Sequence, residues 1–254
     1  MIDARVFIKQ PLHFKGKIKI YPPSVSDILD NPGYGQYLKV LTITQDDIRD
    51  ELIKKEETKE KINEAPTPFE FLLINSYHNA LFKQITEEAF WFFLHEKITF
   101  LFEEKIILVG NLEKKILEVK SLNDLPSIDE NNYFDFQNLI RMACGDEPIE
   151  PPKPPDPNED PRIAKMKMKA RERDRIKARK GVKGGISITT SLIAICCMGI
   201  GITPLNIGEM SYAAIGPIMK MSQDKEKYDI DIRSLLAGAD SKKIKPKYWI
   251  RNSD

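Results

Sequence analysis

The feature that most constrains this chain is a stretch without a single charge, "GGISITTSLIAICCMGIGITPLNIG", lying between Lys183 and Glu209. About 20 apolar residues is roughly what a bilayer core requires, so length alone permits a span, and the basic run before it would supply a positive flank. Its interior argues otherwise. Thr189, Thr190 and Ser191 open it, Gly199 and Gly201 interrupt it, and Thr203-Pro204 breaks it. The uninterrupted helical part is only about 12 to 15 residues, the length of a buried core helix. No membrane segment is therefore expected.

Composition agrees with a water-soluble fold. Of the 254 residues, 41% are hydrophobic and 30% charged, with 39 basic against 38 acidic side chains, so overall charge points to no particular partner. Three cysteines, two of them adjacent, make a poor disulfide set and indicate a reducing compartment. The first twenty residues contain no signal-peptide core, and secretion by that route is not expected.

The fold class expected is α+β. Val6, Ile8, Leu12, Phe14, Ile18 and Ile20 fall largely in alternation, with breaks at Pro11 and Gly16, and predict a short antiparallel strand pair. Ser24 and Thr44 are placed to cap short helices, and Asn31-Pro32-Gly33 separates them. The segment from Pro68 to Gly110 is the most hydrophobic of the N-terminal half. It predicts a helix with Leu81, Ile85, Ala89 and Phe92 on its core face, then a strand or hairpin turning at Glu103 to Lys105. "KILEVK" is a possible third strand. "IDENNYFDFQNLIRMACG" predicts a helix carrying Phe134, Leu139 and Met142, closed by Gly145.

At "DEPIEPPKPPDPNEDP" repeated prolines favour an extended spacer. The expected division is a mixed N-terminal domain over 1–147 with short antiparallel strands and helices, a proline-rich spacer and basic helix over 148–185, and a small all-helical domain with an extended tail over 186–254. In the last part Ser187 or Thr189 should start a helix through "TTSLIAICCMG" that Gly199, Gly201 and Pro204 end. Ile207, Met210, Ala214, Ile218 and Met221 should share a helical surface bent at Pro217, and a short helix around Ile232 should end at Gly238.

Motifs for catalysis and cofactors are not visible. His95 lacks a second histidine four positions on, and "GVKGG" and "GIGIT" lack the lysine and hydroxyl of a phosphate loop. Cys196 and Cys197, inside an apolar run, are expected to be buried structural residues. No enzyme activity, cofactor or metal is expected. The clearest charge feature is "RIAKMKMKARERDRIKARKG", a basic arm of Lys165, Lys167, Lys169, Arg171, Arg173, Arg175, Lys177, Arg179 and Lys180. It has the charge for nucleic acid but no stacking aromatics, and Glu172 and Asp174 interrupt it. A solvated connecting helix, or an arm docking on an acidic protein, fits better.

Taken in order, the proline-rich linker, the basic arm, the small-residue helix, the block "NIGEMSYAAIGPIMKMSQDKEKYDIDIRSLLAGAD" and the closing "KIKPKYWIRN" resemble tail and baseplate assembly proteins of phages that infect Gram-positive bacteria. "IYPPSVSDILDNPGYGQYLKVLTITQDDI" resembles the opening of such proteins. The resemblance implies a non-enzymatic morphogenesis protein working through protein–protein contacts in the host cytoplasm. It would be an assembly chaperone or else a subunit retained in the virion tail or baseplate, with tail or baseplate proteins as partners. Nucleic-acid binding through the basic arm is the further alternative. Met210, Tyr212, Met219 and Met221 are the expected partner-binding residues, an ordinary internal core being the other reading of them.

Overall fold

The computed structural model describes residues 4–16, 18–94, 107–111, 116–120, 128–151, 160–181, 188–240 and 243–247. The expected turn at Glu103 to Lys105 and residue His95 lie outside them. Helix dominates, with short antiparallel sheets, in keeping with the α+β class.

A four-residue helix, α1 (Ala4–Phe7), leads into a hairpin of β1 (Leu12–Phe14) and β2 (Ile18–Ile20). Their register pairs Leu12 with Ile20 and Phe14 with Ile18, and all four are buried while His13 and Lys19 face out. Lys15, at φ 48, and Gly16, at φ +70, are both left-handed in the turn, and glycine takes that conformation without strain. The expected alternation thus holds for the hairpin, whereas Val6 belongs to α1 and Ile8 is exposed.

Seven helices of the N-terminal half precede the second sheet among the described residues. After α1 come α2 (Val25–Asp30), α3 (Tyr34–Thr42), α4 (Gln45–Lys54), α5 (Lys59–Asn63), α6 (Pro68–His78) and α7 (Ala80–Leu94). Ser24, Thr44 and Thr67 each accept from the backbone amide three residues on. Asp27, Asp47 and Glu70 reach back to the cap amide, so α2, α4 and α6 each start with a full capping box. A sheet of β3 (Ile107–Asn111), β4 (Ile116–Lys120) and β5 (Ile128–Asp129) follows, all antiparallel. It leads into α8 (Glu130–Ala143), capped by Asp129.

The core is aromatic and centred on α8. Phe136 stacks on Phe90 of α7 at 5.4 Å, meets Phe14 of the hairpin edge-on at 5.5 Å, and lies 6.3 Å from Tyr133, which in turn packs on Phe69 of α6. Two polar side chains of α8 finish α3 from the side. Gln137 donates from Nε2 to the carbonyls of Leu41 and Ile43, and the Tyr133 hydroxyl donates to Leu41. These carbonyls have no partner within α3, so α8 replaces water at that helix end.

Two core faces differ from expectation. On α7, Leu81 is exposed, and Thr86, Ala89, Phe90, Phe92 and Phe93 face inward. Thr86 fits because its hydroxyl donates to the Phe82 carbonyl at 2.7 Å and leaves no unpaired polar group. On α8, Phe134, Leu139 and Met142 are half-buried, and the inward face is Tyr133, Phe136, Ile140 and Ala143.

Beyond the proline-rich segment lie α9 (Pro161–Gly181), α10 (Ile188–Cys197), 3-10 turns at Ile207–Glu209 and Tyr212–Ala214, and α11 (Ile215–Leu236). The uncharged stretch therefore yields a ten-residue helix that ends before Gly199 and Gly201, both at positive φ. Among the described residues no helix is long and apolar enough to cross a membrane. Pro217 falls in the first turn of α11, where its missing amide costs no helical bond, so the expected bend has no cause there. The short helix expected around Ile232 is the end of α11, and Gly238 follows it at φ +92.

Candidate functional site

Two segments of the C-terminal half fasten onto the N-terminal body, and between them they fix which surfaces remain open. The first is the return segment around Met210 to Ala214. The Val25 amide donates to the Met210 carbonyl at 2.9 Å, the Tyr212 amide donates to the Pro23 carbonyl at 3.0 Å, and Ser24 and Ser211 form an antiparallel bridge. Ala213 completes the aromatic core, and the Tyr212 ring stands edge-on to Tyr34 at 5.8 Å. Two glycines make the approach possible. A Cβ on Gly208 would lie 2.4 Å from the Ser26 hydroxyl, and one on Gly145, at φ +84, would lie 2.8 Å from Ala213 Cβ.

Of the four residues expected to bind a partner, Met210 and Tyr212 sit half-buried in this return segment. Met219 is half-buried on α11, and Met221 on the same helix is 49% exposed. α11 runs for 22 residues and buries none of them fully. Its companion α10 is less than half as long and buries Leu192 and Ile195. Ile230 and Leu236 near the far end of α11 are exposed, as are Ile193 of α10 and Leu205. Leu205, 97% exposed, rides on a turn held by Asn206, whose Oδ1 accepts from the Thr203 amide at 2.7 Å and whose Nδ2 donates to the Gly201 carbonyl.

The second fastening is α9. Met168 is buried and Arg171, three residues on, spreads its guanidinium over Asp50 of α4. Nε donates to Oδ2 at 3.2 Å and Nη2 to Oδ1, with Asp46 a further 3.8 Å partner. Asp50 is 2% exposed, so its charge is met by a fork of matching geometry. The hydrogen bond to Asp50 is the main reason the Arg171 guanidinium holds its proton even more firmly than usual. Lys54 and Glu172 add a looser pair at 3.7 Å. Within the basic arm, Lys165, Lys167, Lys169 and Arg173 are exposed and Arg171 is half-buried, while the side chains of Arg175, Lys177, Arg179 and Lys180 lie outside those described. The sequence reading missed Asp46 and Asp50 as the arm's partners. Their spacing of four on one helix was the available signal.

No protein-family model, curated protein or solved structure matches the chain.

A cleft of about 490 Å³ opens where α4, α6 and α8 begin, floored by Phe69, Tyr133 and Phe134 and rimmed by Asp46, Glu130 and Glu150. Where the return segment meets α8, a different chemistry is buried. The Tyr34 hydroxyl faces the Cys144 thiol and forms no hydrogen bond of ordinary geometry among the described residues. Burial raises the Tyr34 hydroxyl far above its usual range, raises Tyr212, and pushes the Cys144 thiol up to about 12. All three favour the neutral form in the fold. Their contribution to stability is complete below the unfolded-state values near 9.0 for the thiol and 10.0 for the phenols, and is lost as pH rises through the folded ones.

Cys197 corrects an expectation. It is exposed and Cys196 half-buried, because only the Leu192 and Ile195 side of α10 is covered. Thiol titration of the native protein at about pH 8 should therefore modify Cys197 first and leave Cys144 unmodified until denaturant is added. Peptide mass mapping that finds Cys144 labelled under native conditions would contradict the buried Tyr34–Cys144 contact.

Proposed function

We propose that this chain is a non-enzymatic protein of phage tail or baseplate morphogenesis, acting through protein–protein contacts as an assembly chaperone in the host cytoplasm. The observation that carries the reading is α11, 22 residues without one fully buried side chain and with Met221, Ile230 and Leu236 exposed. A helix of that length in water is sustained by packing of an apolar face, and α10 is too short to cover it along its length. Met219 and Met221 bring flexible, polarisable side chains suited to a surface that accepts more than one partner. In this reading residues 1–147 form the mixed domain, 148–185 the spacer and arm, and 186–254 the helical part that meets tail proteins. The sequence resemblance touches both halves and supplies the phage context.

One observation favours a permanent tail or baseplate subunit instead. The arm is fixed to the body by Arg171 and Met168, as a chain built into an assembly would need. Affinity recovery of the tagged protein from phage-producing cells, with mass spectrometry of lysate and purified particles, separates the two. Recovery with tail proteins and absence from particles is the expected result. Stoichiometric presence in particles makes the chain a subunit, and recovery with no tail protein in either sample overturns the phage reading.

A further inference from the structure

The fastening of α9 leaves its opposite side facing solvent, and it fixes which of the cations lie on that side. At 100° per residue, Ala164, Met168 and Arg171 define the docked face, whereas Arg162, Lys165, Lys169 and Arg173 fall within about 80° of one another on the far face. The four cations span about 16 Å of helix. All four are exposed, and among the described residues none of them is in an ion pair. Glu172, the acid of this stretch, is turned toward Lys54 of the body and leaves the stripe unneutralised. Beside the cations lie Ile163, 49% exposed, and Met166, 70% exposed.

We propose that this outward face of α9 is a docking surface for an acidic amphipathic helix of a partner protein. Such a helix would bring carboxylates at three- and four-residue spacing against the cation stripe and apolar side chains against Ile163 and Met166. Three like-charged neighbours at that spacing, Arg162–Lys165, Lys165–Lys169 and Lys169–Arg173, weaken an isolated helix, and an acidic partner turns each repulsion into attraction. The apolar pair separates the candidates. Phosphate backbones use cations and leave Ile163 and Met166 in water, and the described part of the face has no aromatic side chain to stack on bases. An anionic membrane would need a broad apolar face, and two side chains beside a four-cation stripe do not make one. Arg171 and Met168 supply what a solvated helix lacks, a fixed orientation of the stripe relative to the body.

This inference rests on the protein-contact part of the proposed function and not on the phage context. The experiment uses the full chain and a fluorescent helical peptide carrying Glu at i, i+3, i+7 and i+11 with Leu on the adjoining strip. Three controls accompany it: a scrambled peptide of the same composition, duplex DNA, and vesicles of mixed phosphatidylcholine and phosphatidylserine. The patterned peptide should bind, and the scrambled one at least about tenfold more weakly. Lys165→Glu with Lys169→Glu should weaken the patterned peptide about tenfold or more, and so should Ile163→Ser with Met166→Ser, both with unchanged thermal unfolding. Equal affinity for both peptides overturns the proposal. So does binding of DNA or vesicles that equals the peptide's, or peptide binding that survives the Ile163→Ser and Met166→Ser pair. If a charge-reversed variant fails to fold, Lys165→Gln with Lys169→Gln gives the same reading. The comparison of lysate and particles does not use this peptide, so either reading can fail alone.

Discussion

Phe136→Ala is expected to lower the free energy of unfolding by about 3–5 kcal/mol, the cost of an emptied aromatic site in a core that cannot collapse around it. Phe136 is fully buried, and its ring meets Phe14 of the hairpin and Phe90 of α7 while lying beside Tyr133 of its own helix. The hairpin, α7 and α8 are thus held to one another across a single side chain, and no neighbour can relax toward the void without leaving another contact. For a chain of this size the midpoint of thermal unfolding should fall by about 6–20 °C. Phe136→Leu keeps most of the volume and should cost roughly half as much or less. Urea unfolding of the three proteins side by side checks this. Equal stability of wild type and Phe136→Ala would mean that the core is not centred on α8.

Gly145→Ala should cost about 2–5 kcal/mol through two additive causes, a left-handed backbone worth roughly 1–2 and overpacking worth about 1–3. Gly145 has φ +84, and an added methyl would meet Ala213 Cβ at 2.8 Å and its Cα at 2.9 Å, a backbone atom that cannot swing aside. Gly199→Ala isolates the first cause, since Gly199 has φ +67 with nothing within 4 Å of the added carbon. The difference between the two variants is the price of forcing the return segment away from α8. Combining Gly145→Ala with Ala213→Gly should recover part of that difference, as expected when two sites share one contact. Hydrogen exchange supplies the structural readout, because the Val25 and Tyr212 amides are bonded across the same junction. Faster exchange at both, with core amides of α8 still protected, is the expected pattern. Unchanged exchange at both would place the strain elsewhere.

Local features of this fold were readable in the sequence. Ser24 and Thr44 announced their helices because a capping side chain and its acid three residues on act within one turn. Gly145 closed α8 for the same local reason. The buried faces of α7 and α8 were misjudged where polar residues satisfy themselves inside the core. Thr86 bonds its own helix, and Gln137 and Tyr133 bond the end of α3, so a pattern that counts only apolar residues passes over them. The arm was legible as a basic helix, but its orientation was not. One arginine among many cations meets Asp50, and nothing local distinguishes Arg171 from its neighbours. The return segment was the least legible element, since its ties to Pro23 and Val25 are backbone bonds to residues far away along the chain.

That distance sets an order of events during synthesis. Pro23 and Val25 leave the ribosome before Met210 and Tyr212, which follow roughly ten to forty seconds later at 5–20 residues per second. Until then the mouth of the core beside Tyr34, Cys144 and Gly145 has no Ala213 to close it. The N-terminal half must therefore wait in a nearly finished state, and any product cut short ahead of Met210 keeps that opening for its lifetime.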